Sequence, residues 1–330
     1  MLVIGRREFI TVLGGAAAWP PVARAQQDAR QRRIGVLLGG VENGALTQSS
    51  LTALKDGLAK LGWTEGRNLV VELRFGAGDS NRYRAYAAEF MNLSLDAIVV
   101  DSGPTTRAVQ QQTQIIPIIF VGAGDPTVNG LVKNIARPEG NTTGITNFYG
   151  SIGSKWLELL REAAPYITRV ALIFNPGASL GSYFPAIEAA GPHLAVQTIK
   201  TPIHDAIDIV RAIDAFAAEP NGALVVVPDV VTGLHRETIV RLASQHRLPA
   251  IYPTKIAVTE GGLMAYGPNT VDLYRQAASY VDRVLRGTKV GELPVQFPTK
   301  FELTINLKTA KILGLTIPPA VLATADAVIE

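Results

Sequence analysis

The sequence contains no cysteine in 330 residues. This absence excludes disulfide bonds, thiol nucleophiles and cysteine-based metal sites, together with the lipid-modified cysteine that would anchor an exported protein to a membrane. Histidine is also scarce, because only four are present and their spacing does not suit a metal site. His235 and His246 could share one helix face, but a solvated face is the interpretation we favour. No metal is therefore predicted.

A strong excess of either charge is also missing. There are 31 lysines and arginines against 28 aspartates and glutamates, so nothing in the charge balance points to nucleic acid. The loop of residues 39–44, after the first predicted strand, lacks the dinucleotide fingerprint Gly-x-Gly-x-x-Gly and precedes no Gly-Lys-Ser/Thr. We therefore predict no cofactor, and keep Gly40 in this loop as a candidate ligand-binding residue.

The first 25 residues are predicted to be a signal peptide rather than part of the fold. Arg6 and Arg7 form a twin-arginine motif, a weakly apolar run follows, and Ala23-Arg24-Ala25 is a small-x-small cleavage site. The alternative is an amphipathic first helix of the domain, and the apolar run is too short to span a bilayer. We expect an exported periplasmic protein that is soluble and not lipid-anchored.

Residues 96–125 contain two consecutive strand–loop–helix units. Apolar runs of strand length, Ala97–Val100 and Pro117–Val121, each end in a loop that is predicted to lead into a helix. Short apolar strands that alternate with helices predict a parallel sheet covered on both faces. Because the loops after the carboxyl ends of such strands form the binding crevice, we expect these two loops to lie side by side at a ligand site.

The same rhythm of strands and helices occurs twice along the chain. It predicts an α/β fold with two doubly wound, Rossmann-like lobes joined by a hinge. We assign residues 26–148 to lobe 1 and residues 149–250 to lobe 2. Residues 251–287 are predicted to return to lobe 1, and residues 288–330 to cross back, mainly into lobe 2. Several crossings make a hinge, and a cleft that closes around a ligand.

The first loop carries small and hydroxyl residues at a predicted helix N-terminus. Ser102, Gly103, Thr105 and Thr106 belong to this cluster. Exposed N–H groups and the positive end of the helix dipole favour an anion there, so a ligand carboxylate held by the loop is one interpretation. Ordinary capping of the helix is the other.

Two aspartates follow strand ends, one in each lobe. Asp125 comes after Gly124 and precedes a proline, and Asp229 occupies the equivalent loop of the second lobe. Each could accept a ligand ammonium group, or each could be the N-cap of a helix. We favour the N-cap for Asp125, and the same ambiguity applies to Asp229. An unpaired carboxylate in a closed cleft is costly, so a ligand that faces either one should carry a positive group.

Amide and aromatic side chains complete the candidate ligand-binding residues. Asn147 and Asn175 end predicted strands and could be hinge or cleft amides. Tyr252 and Tyr266 end strands near the crossings, where a ring could stack on a ligand or fill the hinge. Trp156 lies on a predicted helix and is interpreted as a packing residue.

Specific motifs spread over nearly all of the chain after the leader resemble those of one family. They are Gly57–Trp63 with Glu65–Asn68, Ile116–Pro126, Leu131–Asn147, Lys155–Leu160, Asn175-Pro176, His246–Ala250, Gly261–Met264 with Tyr266–Pro268, and Pro298–Leu303. The chain resembles the periplasmic substrate-binding proteins of ABC transporters, in the subfamily that includes tryptophan- and tyrosine-binding components. The resemblance implies a type I binding-protein fold, a ligand between the lobes, and an inner-membrane permease and ATPase as partners.

One departure from the family pattern concerns the first loop. Relatives often have Gly-Thr-Pro or Gly-Ser-Pro there, whereas this chain has Gly103 before Pro104, with hydroxyls at Ser102 and Thr105. The shifted hydroxyl leaves the identity of the ligand open. Stacking tyrosines and an anion-binding loop suggest an amino acid or an aromatic carboxylate, bound by a monomer.

Two other functions compete with transport. A sensor that presents its ligand to a signalling receptor needs the same closed lobe surface, so the sequence hardly separates it from a transport protein. An exported enzyme with a Rossmann-like lobe is disfavoured, because a dinucleotide motif, a cysteine pair, a Gly-x-Ser-x-Gly elbow and a convincing histidine-centred site are all missing. We expect a protein that binds a small solute and converts nothing.

Overall fold

The structure is a computed structural model that describes residues 31–178 and 183–330. The predicted twin-arginine signal peptide, residues 1–25, lies outside these ranges. Among the helices within them, none is long and apolar enough to cross a membrane.

The first lobe is built on a five-stranded sheet in which every neighbouring pair is parallel. The strands stand in the order β2-β1-β3-β4-β5. They are β1 (Arg32–Leu38), β2 (Leu69–Phe75), β3 (Ala97–Asp101), β4 (Ile118–Val121) and β5 (Thr142–Ile145). The apolar runs of the central strands are buried because helices cover both faces of the sheet, as the sequence predicted.

Two layers of helices cover this first sheet. One layer pairs α1 (Ala45–Lys60) with α10 (Thr270–Leu285), a helix from much later in the chain. The two helices approach closely at Gly57, where an added Cβ atom would lie 2.7 Å from Cβ of Ala278. The other layer contains α2 (Ser80–Phe90) and α3 (Gly103–Gln110). The later helix thus completes a core that the first part of the chain leaves open.

The second lobe has a seven-stranded sheet in the order β12-β11-β10-β9-β8-β6-β7. Among its described strands β10 and β11 run antiparallel, and the other neighbours are parallel. The strands are β6 (Arg169–Phe174), β7 (Gln197–Pro202), β8 (Gly222–Val226), β9 (Ala250–Tyr252), β10 (Met264–Pro268), β11 (Phe301–Asn306) and β12 (Ala327–Ile329). The helices are α4 (Ile152–Ala163), α5 (Phe184–His193), α6 (Ala206–Ala217), α7 (Val230–Leu234), α8 (Arg236–Gln245), α9 (Lys255–Thr259), α11 (Leu307–Ile312) and α12 (Pro319–Ala323).

The two sheets repeat one plan. The order β2-β1-β3-β4-β5 in the first lobe has its counterpart in the order β7-β6-β8-β9-β10 of the second. Strand β1 therefore corresponds to β6, and β3 corresponds to β8. The prediction of two doubly wound α/β lobes is confirmed, and the loops after corresponding strands can be compared directly.

The predicted lobe boundaries need correction in the last third of the chain. Residues 251–287 do not all return to lobe 1, because β9 and β10 pair with each other and β9 pairs with β8 inside the second sheet. Their apolar strands satisfy their backbone hydrogen bonds by extending that sheet, so the crossing into lobe 1 follows Pro268. The crossing back also comes later than residue 288, because Leu293 packs in the core beside α10 and Gln296 pairs with Ile145.

Candidate functional site

A cavity of about 320 Å³ lies between the two lobes, where the strand ends of both sheets face each other. Both lobes contribute to its wall, as expected for parallel sheets whose crevices lie beyond the strand carboxyl ends. The predicted site residues that line it are Gly40, Ser102, Gly103, Gly124, Asn147, Asn175, Asp229 and Tyr252.

The lobes touch each other around this cavity. A Cβ atom on Gly39 of lobe 1 would lie 2.9 Å from Cγ2 of Val230, the first residue of α7 in lobe 2. The Tyr183 hydroxyl of lobe 2 lies 3.4 Å from Oδ1 of Asn147, which follows the last strand of lobe 1. These contacts define a closed arrangement of the lobes around the cavity.

Ser102 has an unusual backbone conformation at the start of α3. Its φ of 63° and ψ of 162° belong to a region that almost only glycine occupies without strain. Its hydroxyl lies 3.1 Å from Oγ1 of Thr105 and makes no capping bond to the helix, so the capping interpretation is wrong for this side chain. The N–H of Gly103, the first residue of the helix, has no intrahelical acceptor. The N–H of Gly103 is therefore available at the cavity wall, next to the Ser102 hydroxyl.

Thr105 and Thr106 do not reach the cavity. Both side chains are fully buried, and their hydroxyls donate to the carbonyl of Ser102 at 3.2 Å and 2.6 Å. The prediction that they contact a ligand is therefore wrong for their side chains, because a helical hydroxyl finds the carbonyl one turn earlier. Their contribution is to hold Ser102 in place.

Asp125 and Tyr266 also lie away from the cavity wall. Oδ1 of Asp125 accepts from the N–H groups of Thr127 and Val128 and caps a single turn, so the predicted helix after it is wrong. The ring of Tyr266 stacks on Phe301 at 5.8 Å, which makes it a packing residue near the crossings. For both residues the non-ligand alternative holds.

The two asparagines organise the loops of the site. Oδ1 of Asn147 accepts from the N–H of Gly124 at 3.0 Å, which fixes the loop after β4. Oδ1 of Asn175 accepts from the N–H of Gly177 at 2.6 Å and closes a tight turn after β6. Each asparagine therefore shapes the cavity wall through a backbone contact.

Asp229 is the N-cap of α7, which was one of the two roles predicted for it, the other being a contact with a ligand ammonium group. Its Oδ1 accepts from the N–H of Thr232 at 2.8 Å, and the Thr232 hydroxyl completes a capping box. Its Oδ2 accepts from the N–H of Asn175 at 2.9 Å. Burial raises the pKa of Asp229 in spite of these hydrogen bonds. Both carboxylate oxygens are thus used by the fold.

Asp101 lines the cavity and was missed by the sequence analysis. It ends β3 and its Oδ1 accepts from the N–H of Gly39 at 2.6 Å. Burial raises its pKa to about 7, against smaller lowering effects of hydrogen bonds, including those from Gly39 and Thr105. Asp101 lies deep in the protein but is only partly buried, because the cavity leaves some of its surface accessible. A carboxylate at the carboxyl end of a parallel strand was the available signal.

Aromatic side chains form much of the remaining wall. Tyr252 is buried, and its hydroxyl is the buried side-chain polar atom that lacks a hydrogen-bond partner among the described residues. Trp156 stacks on Tyr183 with ring centroids 5.6 Å apart and is buried in the core of lobe 2, which confirms it as a packing residue, and both rings also border the cavity. Tyr83 and Tyr274 close the lobe 1 side. A flat apolar ligand group would find stacking partners here.

Arg236 is the cation in the cavity wall. Its guanidinium pairs with Glu260 at 2.6 Å, so its charge is already compensated within lobe 2. Within the described ranges no group of three or more histidine or acidic side chains could hold a metal ion. The site therefore offers hydrogen bonds, aromatic surface and the Asp101 carboxylate.

Comparison with known proteins places the chain among proteins of similar architecture. A conserved domain protein from Vibrio cholerae O1 biovar El Tor is 26% identical, with a TM-score of 0.85 over 91% of this chain and 100% of that one. An ABC domain from Streptococcus pneumoniae in complex with L-Trp is 21% identical and has the same TM-score of 0.85, over 91% and 100% of the two chains. A ligand-free, open substrate-binding protein from Clostridium difficile, also 21% identical, superposes with a TM-score of 0.66 over 90% and 99%.

The sequence comparisons identify the family. A tyrosine-binding protein from Clostridioides difficile strain R20291 is 25% identical over 291 residues, which are 87% of this chain and 82% of the relative. The family model for ABC transporter substrate binding proteins matches residues 36–329, which is nearly the whole described chain. The resemblance seen in the motifs is thereby confirmed, and the chain belongs to the ABC transporter substrate-binding protein family.

Proposed function

We propose that this protein is the periplasmic binding component of an ABC importer, which closes its lobes around one amino acid or aromatic carboxylate. The observation that carries the proposal is the cavity between the lobes, whose wall combines aromatic rings, including that of Tyr252, with the polar groups at the start of α3. The rings offer stacking partners to a flat ligand group, and the helix start favours an anion. The cavity volume of about 320 Å³ is at the lower end for small-molecule sites and suits a ligand of this size.

The ligand carboxylate is proposed to lie at the N-terminus of α3. Ser102 and Gly103 supply a hydroxyl and a free N–H there, and the positive end of the helix dipole favours an anion. Thr105 supports this arrangement from behind, because its own hydroxyl lies 3.1 Å from Oγ of Ser102. The aromatic wall that includes Trp156 and Tyr252 would receive the ligand side chain.

The closed arrangement of the lobes supports this proposal as well. The chain superposes better on the L-Trp complex, with a TM-score of 0.85, than on the open, ligand-free protein, with a TM-score of 0.66. The two proteins are equally distant in sequence, at 21% identity. The contact of Gly39 with Val230 would therefore be made and broken as the ligand enters and leaves.

Mass spectrometry of protein purified under native conditions, followed by titration, tests the ligand class. We expect a co-purified amino acid or aromatic acid, and a melting temperature that rises with the concentration of L-tryptophan or L-tyrosine. The amide of the bound acid should bind more weakly, because it lacks the charge that favours the α3 N-terminus. Equal binding of acid and amide, or chemical conversion of the ligand by the pure protein, would contradict the proposal.

Export and delivery to a permease are the cellular part of the proposal. Replacement of Arg6 and Arg7 by lysine should abolish processing and periplasmic localisation if the leader uses the twin-arginine route. Ligand uptake by cells should require the protein together with a permease and an ATPase, and the purified protein should be a monomer. Unchanged uptake in a deletion strain would favour the ligand-presenting sensor instead.

A further inference from the structure

Corresponding strands of the two lobes carry the same carboxylate–amide link. In lobe 1, Asp101 at the end of β3 accepts from the N–H of Gly39, which follows β1. In lobe 2, Asp229 after β8 accepts from the N–H of Asn175, which follows β6. Since β1 corresponds to β6 and β3 to β8, both carboxylates tie the same two loops together. Both residues also line the cavity.

The two carboxylates differ in what else they bind. The second oxygen of Asp229 caps α7 by accepting from Thr232, whereas the N-cap of α3 is Ser102 and not Asp101. Asp101 accepts from the N–H of Gly39 at 2.6 Å, smaller hydrogen-bond effects come from its own backbone and from Thr105, and the residue lines the cavity. Asp229 therefore caps a helix in addition to tying a loop, whereas Asp101 ties a loop and caps no helix.

The surroundings of Asp101 supply no positive charge. Within the described residues no lysine, arginine or histidine nitrogen lies within 4.0 Å of its carboxylate oxygens. The charged and titratable groups that face it are Tyr83 on α2 and Tyr274 on α10, whose pKa values are raised mainly by burial and further by the charge of Asp101. Asp229 and Asp79 act on Tyr83 in the same direction. A carboxylate in such surroundings is costly to ionise unless a cation arrives.

We propose that Asp101 determines the specificity of the cavity: it binds a protonated amine of the ligand and gives up its own proton as the ligand binds. The inference rests on the proposed function, since it assumes that a small solute occupies this cavity. It goes further by requiring a cationic group, which an aromatic carboxylate lacks. The neighbouring Ser102 and Gly103 would hold a carboxylate beside that amine, as in an α-amino acid.

The proton balance of this step follows from the burial of Asp101. Because burial raises its pKa to about 7 in this closed arrangement, the carboxyl group of the closed protein without ligand is partly protonated at neutral pH. On binding, the O–H bond of the carboxyl breaks and the proton passes to solvent, while an N–H of the ligand ammonium donates to the carboxylate. The affinity for an amine ligand should be constant above this pH range and should fall roughly tenfold for each pH unit below it.

Calorimetric titration with four probes tests the inference. The probes are L-tyrosine, L-tryptophan, 3-(4-hydroxyphenyl)propionic acid, which lacks the amine, and tyramine, which lacks the carboxylate. Titrations from pH 5 to pH 8.5, in two buffers of different ionisation enthalpy, measure affinity and released protons together. We expect the amino acids to bind roughly ten- to a hundred-fold more tightly than the propionic acid, with proton release near pH 7.

Variants of the two corresponding aspartates complete the experiment. Asp101→Asn keeps the shape and the acceptor for Gly39, so it should fold, lose roughly ten- to a hundred-fold in affinity for L-tyrosine, and lose the pH dependence and proton release. Asp229→Asn, the matched control, should keep the slope of affinity against pH whatever its effect on affinity itself. Melting curves show whether each variant is folded.

The possible failures separate this inference from the proposed function. If the propionic acid binds the wild type as tightly as L-tyrosine, or if Asp101→Asn keeps the pH slope, the inference is overturned while a bound aromatic carboxylate remains. If no probe binds, the co-purified ligand decides. A native ligand without a cationic group overturns the inference. A native ligand that has a cationic group but binds Asp101→Asn as tightly as the wild type overturns it too.

Discussion

The two aspartates that tie corresponding loops of the two lobes differ in their other contacts. In lobe 2 the carboxylate of Asp229 begins a helix and ties down a loop, so both of its oxygens serve the fold. In lobe 1 the carboxylate of Asp101 ties down the equivalent loop but leaves the start of the helix to Ser102, whose side chain makes no cap. One lobe thus presents a rigid wall, and the other presents polar groups that are left for a ligand.

This difference indicates how a repeated architecture acquires one binding site. Capping by a carboxylate lowers the free energy of the folded protein, and a strained, uncapped helix start raises it. The free-energy cost of an uncapped, strained helix start therefore lies in lobe 1, beside the cavity. The following changes test the comparison, beginning with the largest expected effect.

Asp229→Ala should destabilise the protein most. The change removes the N-cap of α7 and leaves the N–H groups of Thr232 and Asn175 without their acceptor, which should lower the free energy of unfolding by about 2–4 kcal/mol. Urea unfolding measures this. Asp205→Ala is the control, because Asp205 caps α6 of the same lobe without tying a second loop, and it should cost about 1 kcal/mol. Equal costs would show that the link to Asn175 contributes nothing.

Asp101→Asn should instead stabilise the free protein at high pH. The pKa of this carboxyl is near 7 in the folded protein and about 3.9 in the unfolded chain. Between these two pH values the folded state therefore binds more protons than the unfolded state. Stability from this group is therefore greatest at low pH and is lost as pH rises toward 7. We expect a gain of about 1–3 kcal/mol at pH 8 and almost none at pH 4, measured by thermal melting without ligand. A loss at pH 8 would contradict the uncompensated carboxylate.

Gly39→Ala should hinder closure of the lobes. The added Cβ would lie 2.9 Å from Cγ2 of Val230 across the cleft and 3.1 Å from Oδ1 of Asp101. We expect the affinity for L-tyrosine to fall roughly tenfold, about 1.4 kcal/mol, with a smaller change in the stability of the free protein. The double variant Gly39→Ala with Val230→Ala should recover affinity if the contact across the cleft is the cause. Small-angle scattering with ligand would report whether the single variant stays open.

Ser102→Gly should have the smallest effect on stability, and a favourable one. Glycine adopts the φ of 63° and ψ of 162° without strain, and the gain is partly offset by a more flexible unfolded chain, which leaves about 1 kcal/mol. Its affinity for the ligand should fall, because the hydroxyl is lost. Ser102→Ala removes the same hydroxyl and keeps the strain, so it should lose affinity without gaining stability. If both variants melt at the wild-type temperature, the strain is not stored at this residue.

Much of the fold could be predicted because its signals are local. Short apolar runs such as Ala97–Val100 followed by loops and amphipathic helices indicate parallel strands wherever they occur, and their repetition indicates two lobes. The lobe to which a late strand belongs is a different matter. The runs at β9 and β10 carry the same pattern as strands of lobe 1, and only pairing with β8 assigns them to lobe 2.

The sequence by itself determined the class of fold, the family and the loops that form the cleft, because periodicity and specific motifs depend on neighbouring residues. Only the tertiary structure decided which side chains in those loops face the ligand. Thr105 and Thr106 turn to the carbonyl of Ser102, while Asp101 lines the cavity. The reason is that a side chain's partner is set by atoms brought together from distant parts of the chain, such as Gly39 beside Asp101 and Asn175 beside Asp229.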